Sequence, residues 1–348
     1  MSVPRRTTPA AQLARLGFAD PARAERLLAG LPAFVADGSA GLIDAFALAA
    51  DPDLALTALT RMPQDGEMIA ALREDLDLRA RLIAVLGASA ALGDHLARHP
   101  DDWRVLRDGD GLHPPEPSAV RASLLAAVGA RPEDTEPVAA GPVAAGADPV
   151  AALRVAYRRL LLPLAARDLT GAAPLDQVAA ELADLAAAAL EAALAIARAS
   201  LPPGAAPCRL AVIAMGKCGA RELNYASDVD VIFVAEPAGA GQAGAREDGG
   251  EAAALRTATQ LAAGLIQACS QSTPEGALFP VDPNLRPEGR RFGSTGNSDP
   301  SGVLCEQTRI SPAASWVAVR SAADSASASG VPVATAGSAT KITSTSLA

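Results

Sequence analysis

"CRLAVIAMGKCGARELNYASDVDVIFVAE", running from Cys208 to Glu236, is the stretch at which a helical sequence changes its period. "CRLAVIAMG" is a short apolar run closed by Gly216, and "DVDVIFVA" is rich in β-branched side chains, so each predicts a strand. "ARELNYA" between them suits a helical turn or two. Further on, "GEAAALRTATQLAAGLIQACSQ" predicts a helix, and "ALFPVDPNLRPEG" predicts a strand that leaves through a proline-rich loop. Strand, helix, strand, helix, strand describes a small α/β core over residues 206–290.

Side chains alternate faces along a strand, so Asp228 and Asp230 project to one side and Val229 and Val231 to the other. Two like charges together at the start of an apolar strand are unfavourable unless a cation neutralises them. A divalent metal does this best, and Mg²⁺ is usually held by one or two carboxylates together with substrate phosphates. The neighbours agree. Gly216 and Gly219 allow a tight turn whose N–H groups can approach an anion, Lys217 supplies a point charge for phosphate, and Ser227 offers a hydroxyl beside Asp228. Lys217 is the only lysine before Lys341.

A third carboxylate, Asp282, ends the apolar run "FPVD", and Arg286 follows one loop later. Three acids from adjacent strands can hold two metal ions about 3.5–4 Å apart, which activate an attacking oxygen and stabilise a leaving one. That is nucleotidyl-transfer chemistry. A DxD pair alone would more readily mark an exposed turn. Its company of Gly216, Lys217, Ser227 and Asp282 favours the metal site. An EF-hand is excluded, because Ile232 and Phe233 stand where that loop needs an oxygen ligand and a glycine.

Around the core the sequence predicts helix. A length of 348 residues suits about two domains. Hydrophobic residues make up 50% but aromatics only 3%, which favours helices packed through small side chains over a β-sandwich. Residues 1–131 predict a helical array broken at "FADPARA", "ADPDLAL", "RHPDDW" and "LHPPEPS", where an Asp or Ser can cap the next helix and Pro fits its first turn. Residues 132–148 are a Pro-, Gly- and Ala-rich linker, and 149–205 a helical segment that puts Val178, Leu182, Leu185 and Ala189 on one face. The fold class is therefore α+β, mostly helical with a small sheet core.

A net charge of −9 argues against a broad grip on nucleic acid or on an anionic membrane. The amino terminus lacks a signal-peptide core, and the most alanine-rich helix is interrupted by Glu181, Asp184, Glu191 and Arg198, so a soluble cytoplasmic protein is expected. Cys208, Cys218, Cys269 and Cys305 are scattered without zinc or disulfide spacing. His95 and His99 have the spacing of a zinc-binding helix, but no Glu lies between them and no third ligand is evident, so they read as surface or capping residues. "GAGQAG", 239–244, matches a dinucleotide fingerprint, yet "AREDGGE" after it breaks helix and no acid follows at a second strand end. It reads as a hairpin loop.

"GKCGARELNYASDVDVIFV" together with "FPVDPNLRPEG" closely resembles the core of the glutamine synthetase adenylyltransferase and adenylyl-removing enzymes, a branch of the polymerase-β-like nucleotidyltransferases. The helical stretches "GASAALGDHLARHPDDW" and "LLLPLAARDLTG" are similar to that family's amino-terminal half, and the resemblance extends over about residues 10–290. It implies a polymerase-β-like sheet core and removal of AMP from a tyrosine of glutamine synthetase by orthophosphate, with release of ADP. The family's second core attaches AMP from ATP instead. By the same resemblance Asp228, Asp230 and Asp282 hold Mg²⁺, Gly216, Lys217 and Ser227 form the nucleotide-binding turn, and Arg286 faces phosphate. Adenylylated glutamine synthetase and, by analogy, the PII signalling protein are the implied partners.

Beyond "LRPEGR" the sequence departs from the family. Residues 291–348 are rich in Ser, Thr, Ala and Gly without helical or strand period. Two readings stay open, a disordered tail and out-of-frame translation after a frameshift near Arg290. Either leaves two functional expectations, a metal-dependent adenylyl-tyrosine phosphorylase and a catalytically silent fragment that only binds glutamine synthetase or PII.

Overall fold

Short polar side chains set the helix starts in the amino-terminal region. The computed structural model describes residues 9–32, 40–107, 113–131, 148–237 and 248–283, and the backbone of 304–305 and 319–321. Residues 1–115 with 158–178 form one unit, and 116–157 with 179–348 a second. The first unit contains α1 (Pro9–Arg15), α2 (Pro21–Ala29), α3 (Ala40–Ala45), α4 (Pro52–Arg61), α5 (Gly66–Glu74), α6 (Leu76–Ala88) and α7 (Ala90–Arg98), with 3₁₀ turns at Phe46–Leu48 and Pro100–Leu106. Asp20 and Asp51 accept hydrogen bonds from the N–H groups of Arg23 and Leu54, satisfying donors that the first helical turn leaves open.

The other two breaks behave differently. His99 precedes the turn at Pro100 and Glu116 precedes α8 (Pro117–Ala127), and neither side chain caps, so Pro at the first position alone marks these starts. Asp65, Asp75 and Ser89 cap α5, α6 and α7 instead. At the other end of α5, the buried Arg79 donates to the carbonyls of Leu72 and Arg73 at 2.7 and 3.1 Å. A side chain thus satisfies acceptors that a helix C-terminus leaves open. Phe46, Leu56, Leu59, Leu82, Leu86 and Trp103 are central to this unit's apolar core.

His95 overturns its expected surface place. The ring is fully buried, and its Nε2 lies 2.8 Å from Asp102 Oδ2, while Arg159 donates to Asp102 Oδ1 at 3.0 Å. Burial pushes the Asp102 carboxyl up, but the bond with His95 and the charge of Arg159 outweigh it and hold it below its ordinary value. His99 takes the C-cap position of α7.

α9 (Pro149–Leu169) and α10 (Leu175–Ala199) follow, and Val178, Leu182, Leu185 and Ala189 are all buried, as their helical spacing requires. The second unit then builds its sheet from β1 (Cys208–Ala214), β2 (Val229–Pro237) and β3 (Val281–Asp282). β1 and β2 are antiparallel, with Ala214 opposite Val231. β2 and β3 are parallel, which requires a long crossover, and α12 (Asp248–Ser270) supplies it and packs on β1 and β2. Ala254, Ala258, Leu261, Leu265 and Cys269 are the buried stripe of α12. Backbone pairing adds β4 (Leu304–Cys305) beside β2 and β5 (Val319–Ser321) beside β1. The rest of the Ser- and Ala-rich tail, most of the linker at 132–148 and the "GAGQAG" loop lie outside the described residues.

One buried cation organises the approach to β3. Arg154, on α9, is fully buried and donates to the carbonyls of Gly276, Gln271 and Val150 at 2.6, 2.5 and 2.9 Å. This fixes the turn that leads from α12 to Val281. The Tyr157 and Phe279 rings, 6.0 Å apart, close the same corner.

Candidate metal centre

Parallel pairing in register sets Asp230 beside Asp282, so both carboxylates leave the sheet on one face. Val229, Val231 and Phe233 are buried on the opposite face of β2. Asp228 stands one residue before the strand and is exposed, whereas Asp230 and Asp282 are half-buried. One oxygen from each of the three lies within 4.8 Å of the other two. Oxygens bonded at about 2.1 Å to one octahedral ion span up to about 4.2 Å, so small side-chain adjustments suffice for a common Mg²⁺. The donor set is all hard oxygen, which suits Mg²⁺ and disfavours softer metals.

The turn after β1 lies against one of these carboxylates, that of Asp230. The expected helical turn falls on Gly216–Gly219 (α11) rather than on "ARELNYA", and the first of these glycines takes a left-handed φ of +52°. A Cβ at Gly216 would stand 2.3 Å from Asp230 Oδ2, and one at Gly219 would stand 2.4 Å from the Ala214 carbonyl oxygen. Only glycine lets this backbone lie against the Asp230 carboxylate. The Met215 N–H donates to the Asp230 carbonyl at 2.8 Å and ties the turn to β2.

The turn closes through a Schellman motif. The N–H of Glu222 donates to the Lys217 carbonyl at 2.7 Å and that of Arg221 to the Cys218 carbonyl at 3.1 Å. Arg221 is left-handed, with φ of 60°, at the position where such motifs take glycine, and the conformation costs about 1–2 kcal/mol in a residue with a Cβ. Its guanidinium donates to both carboxylate oxygens of Asp184 on α10, at 2.5 and 2.7 Å.

A second polar chain crosses the turn. Lys217 Nζ donates to Ser227 Oγ over a long 3.4 Å, and the buried Ser227 hydroxyl donates to Asn224 Oδ1 at 2.9 Å. Asn224 Oδ1 also accepts the Ala226 N–H at 3.0 Å. The Lys217 side of the turn is open to solvent, while Cys218 beneath it is buried. Burial first, and then the charges of Asp184 and Asp230, push the Cys218 thiol up to about 11.

Six of the seven site residues expected from sequence are thus linked by these contacts: Gly216, Lys217, Ser227, Asp228, Asp230 and Asp282. Arg286 lies outside the described residues. Asn224, Arg221 and Asp184 join the site without a motif that marks them in the sequence. The spacing of Asn224 and Ala226 could have signalled a side-chain turn, but nothing local pairs Arg221 with a helix residue 37 positions away.

The family model described as glutamate-ammonia ligase adenylyltransferase matches residues 79–295, more than half of the chain. The chain belongs to this family. The matched span includes the three carboxylates and the Gly216–Gly219 turn. Relatives named bifunctional glutamine synthetase adenylyltransferase/adenylyl-removing enzyme are similar over most of its length. That of Streptomyces coelicolor is 49% identical over 299 residues, 83% of this chain and 27% of the relative. That of Streptomyces avermitilis is 48% identical over 295 residues, 82% and 27%, and that of Mycobacterium tuberculosis 42% over 288 residues, 79% and 26%. This adenylyltransferase-family chain therefore spans about a quarter of the length of those relatives. Among the described residues no helix is long and apolar enough to cross a membrane.

Proposed function

We propose that the chain is a Mg²⁺-dependent nucleotidyltransferase that regulates glutamine synthetase, working in the adenylyl-removing direction. The observation that carries this reading is the convergence of Asp228, Asp230 and Asp282 beside a glycine turn bearing Lys217. The names of its relatives supply the substrate. The choice of direction rests on the resemblance of residues 216–234 and 279–289, with the helices before them, to the family's amino-terminal half.

Asp228, Asp230 and Asp282 would hold the ion, which when bound offsets charge on the attacking and leaving oxygens. The β2–β3 register fixes Asp230 and Asp282 relative to each other before any ligand arrives. Gly216 brings main chain close to the carboxylates, and Lys217 presents a solvent-open ammonium to an anionic substrate. In the reaction, an orthophosphate oxygen forms a bond to the α-phosphorus of adenylyl-tyrosine as the bond to the phenolic oxygen breaks. The tyrosine oxygen recovers a proton, and ADP leaves. No covalent intermediate with the protein is required.

The test mixes the purified chain with adenylylated glutamine synthetase, MgCl₂ and orthophosphate and follows ADP. Phosphate-dependent ADP that disappears in Asp228→Asn and Asp230→Asn is expected. A folded chain that releases none refutes the reading.

A further inference from the structure

Arg221 occupies a backbone position that glycine would fill without strain. It is the one left-handed residue other than glycine among the described residues, and it closes the turn that carries Gly216 and Lys217. Its side chain makes a two-pronged ion pair with Asp184 of α10, a partly buried carboxylate with 18% of its side chain exposed. Bidentate pairing of this kind fixes direction as well as distance. A strained residue held by such a pair at a candidate site points to a positioning role. Asp184 also lies close enough to the turn for its charge, with that of Asp230, to act on the Cys218 thiol. Without the Arg221 charge beside it, Asp184 would act more strongly against an anion at this turn.

We infer that Arg221 and Asp184 form a clamp that positions the Gly216–Lys217 turn for its anionic ligand, Arg221 acting through Asp184 and not on the ligand itself. This rests on the nucleotide-site reading above. It yields a contrast that plain structural support does not. Arg221→Gly keeps the left-handed cap and relieves its strain, so the fold persists, but it releases the clamp.

The experiment measures binding of ADP with MgCl₂ by titration calorimetry, and amide exchange over residues 215–222, in the full chain. Arg221→Gly is expected to hold its melting temperature while ADP affinity falls about 5- to 10-fold and exchange in the turn quickens, as loss of a charged hydrogen-bonded pair implies. Asp184→Asn should match it, and the double variant should be no worse than either single. Unchanged affinity and unchanged exchange in Arg221→Gly overturn the clamp, as does a double variant whose loss is the product of the two. If the parent chain binds no ADP, or Lys217→Ala binds it equally well, the nucleotide-site reading fails, and exchange in the turn then decides the clamp alone.

Discussion

Gly216→Ala is the sharpest probe of the carboxylate site, because the structure gives both parts of its effect. The added methyl would stand 2.3 Å from Asp230 Oδ2, where contacts under 3.0 Å are essentially never seen, so the two groups must separate by about 0.7 Å or more. The φ of +52° adds the left-handed penalty, about 1–2 kcal/mol for a residue with a Cβ. Main chain cannot retreat easily, since Met215 is bonded to the Asp230 carbonyl and the turn is closed at Arg221 and Glu222. The Asp230 carboxylate therefore gives way. A shift approaching 1 Å in a group that orients a reacting centre can lower a rate by about 100-fold. The expected result is a loss of about 1–2 kcal/mol in urea unfolding, weaker Mn²⁺ or Mg²⁺ binding by calorimetry, and about 100-fold slower ADP release. Gly250→Ala is the control, because a Cβ there meets nothing within 4 Å in the first turn of α12 and should stabilise by up to about 1 kcal/mol. Metal affinity and stability in Gly216→Ala equal to the parent's would refute the idea that this glycine exists to admit the carboxylate.

Other sites give equally direct expectations. Asn224→Ala should weaken ADP binding about 3- to 10-fold in the parent but hardly at all in a Lys217→Ala background, because Asn224 reaches Lys217 through Ser227; equal losses in both backgrounds would sink that chain of bonds. Asp102 has its carboxyl held below the ordinary 3.8, so it contributes stability that is present above that pH and lost as pH falls through the folded value. Asp102→Asn should therefore lower stability at pH 7 and flatten the acid limb of a urea-midpoint profile, and an unchanged limb would contradict the assignment. Arg154→Ala removes one donor from each of the carbonyls of Gly276, Gln271 and Val150, Gly276 keeping the Thr273 N–H and hydroxyl, and should cost about 2–3 kcal/mol in unfolding free energy. Because those bonds fix the approach to β3, metal affinity should fall with it, and calorimetry that shows full affinity in a folded Arg154→Ala protein would separate the turn from the site.

What could be read from sequence was whatever a local pattern dictates. Alternation along "DVDVIFV" puts Asp230 on one face whatever surrounds the strand, and an Asp before Pro caps a helix within three residues, as at Asp20 and Asp51. The run from Gly66 to Arg98 shows the limit. It carries neither proline nor an obvious turn, yet Asp75 ends α5 while starting α6, and Ser89 does the same between α6 and α7. A single capping side chain can divide a continuous apolar period because the exchange loses little hydrogen bonding: each donor freed at the break is taken by the cap. The burial of His95 is hidden from a local pattern for a related reason. Its partner Asp102 lies beyond such a break, so the helical wheel gave no sign that a buried carboxylate awaited the ring. The parts of the candidate site divide in the same way. Asp230 and Asp282 announce themselves because strands display their chemistry at fixed intervals, and Asp228 because it stands two residues before Asp230 at the strand's edge. Arg221 and Asp184 do not, because a pair 37 residues apart is defined only once α10 and the turn have folded. The carboxylates of the candidate site are thus legible in a sequence of this kind, while the Arg221–Asp184 pair becomes visible only in three dimensions, through a left-handed dihedral and the carboxylate its guanidinium meets.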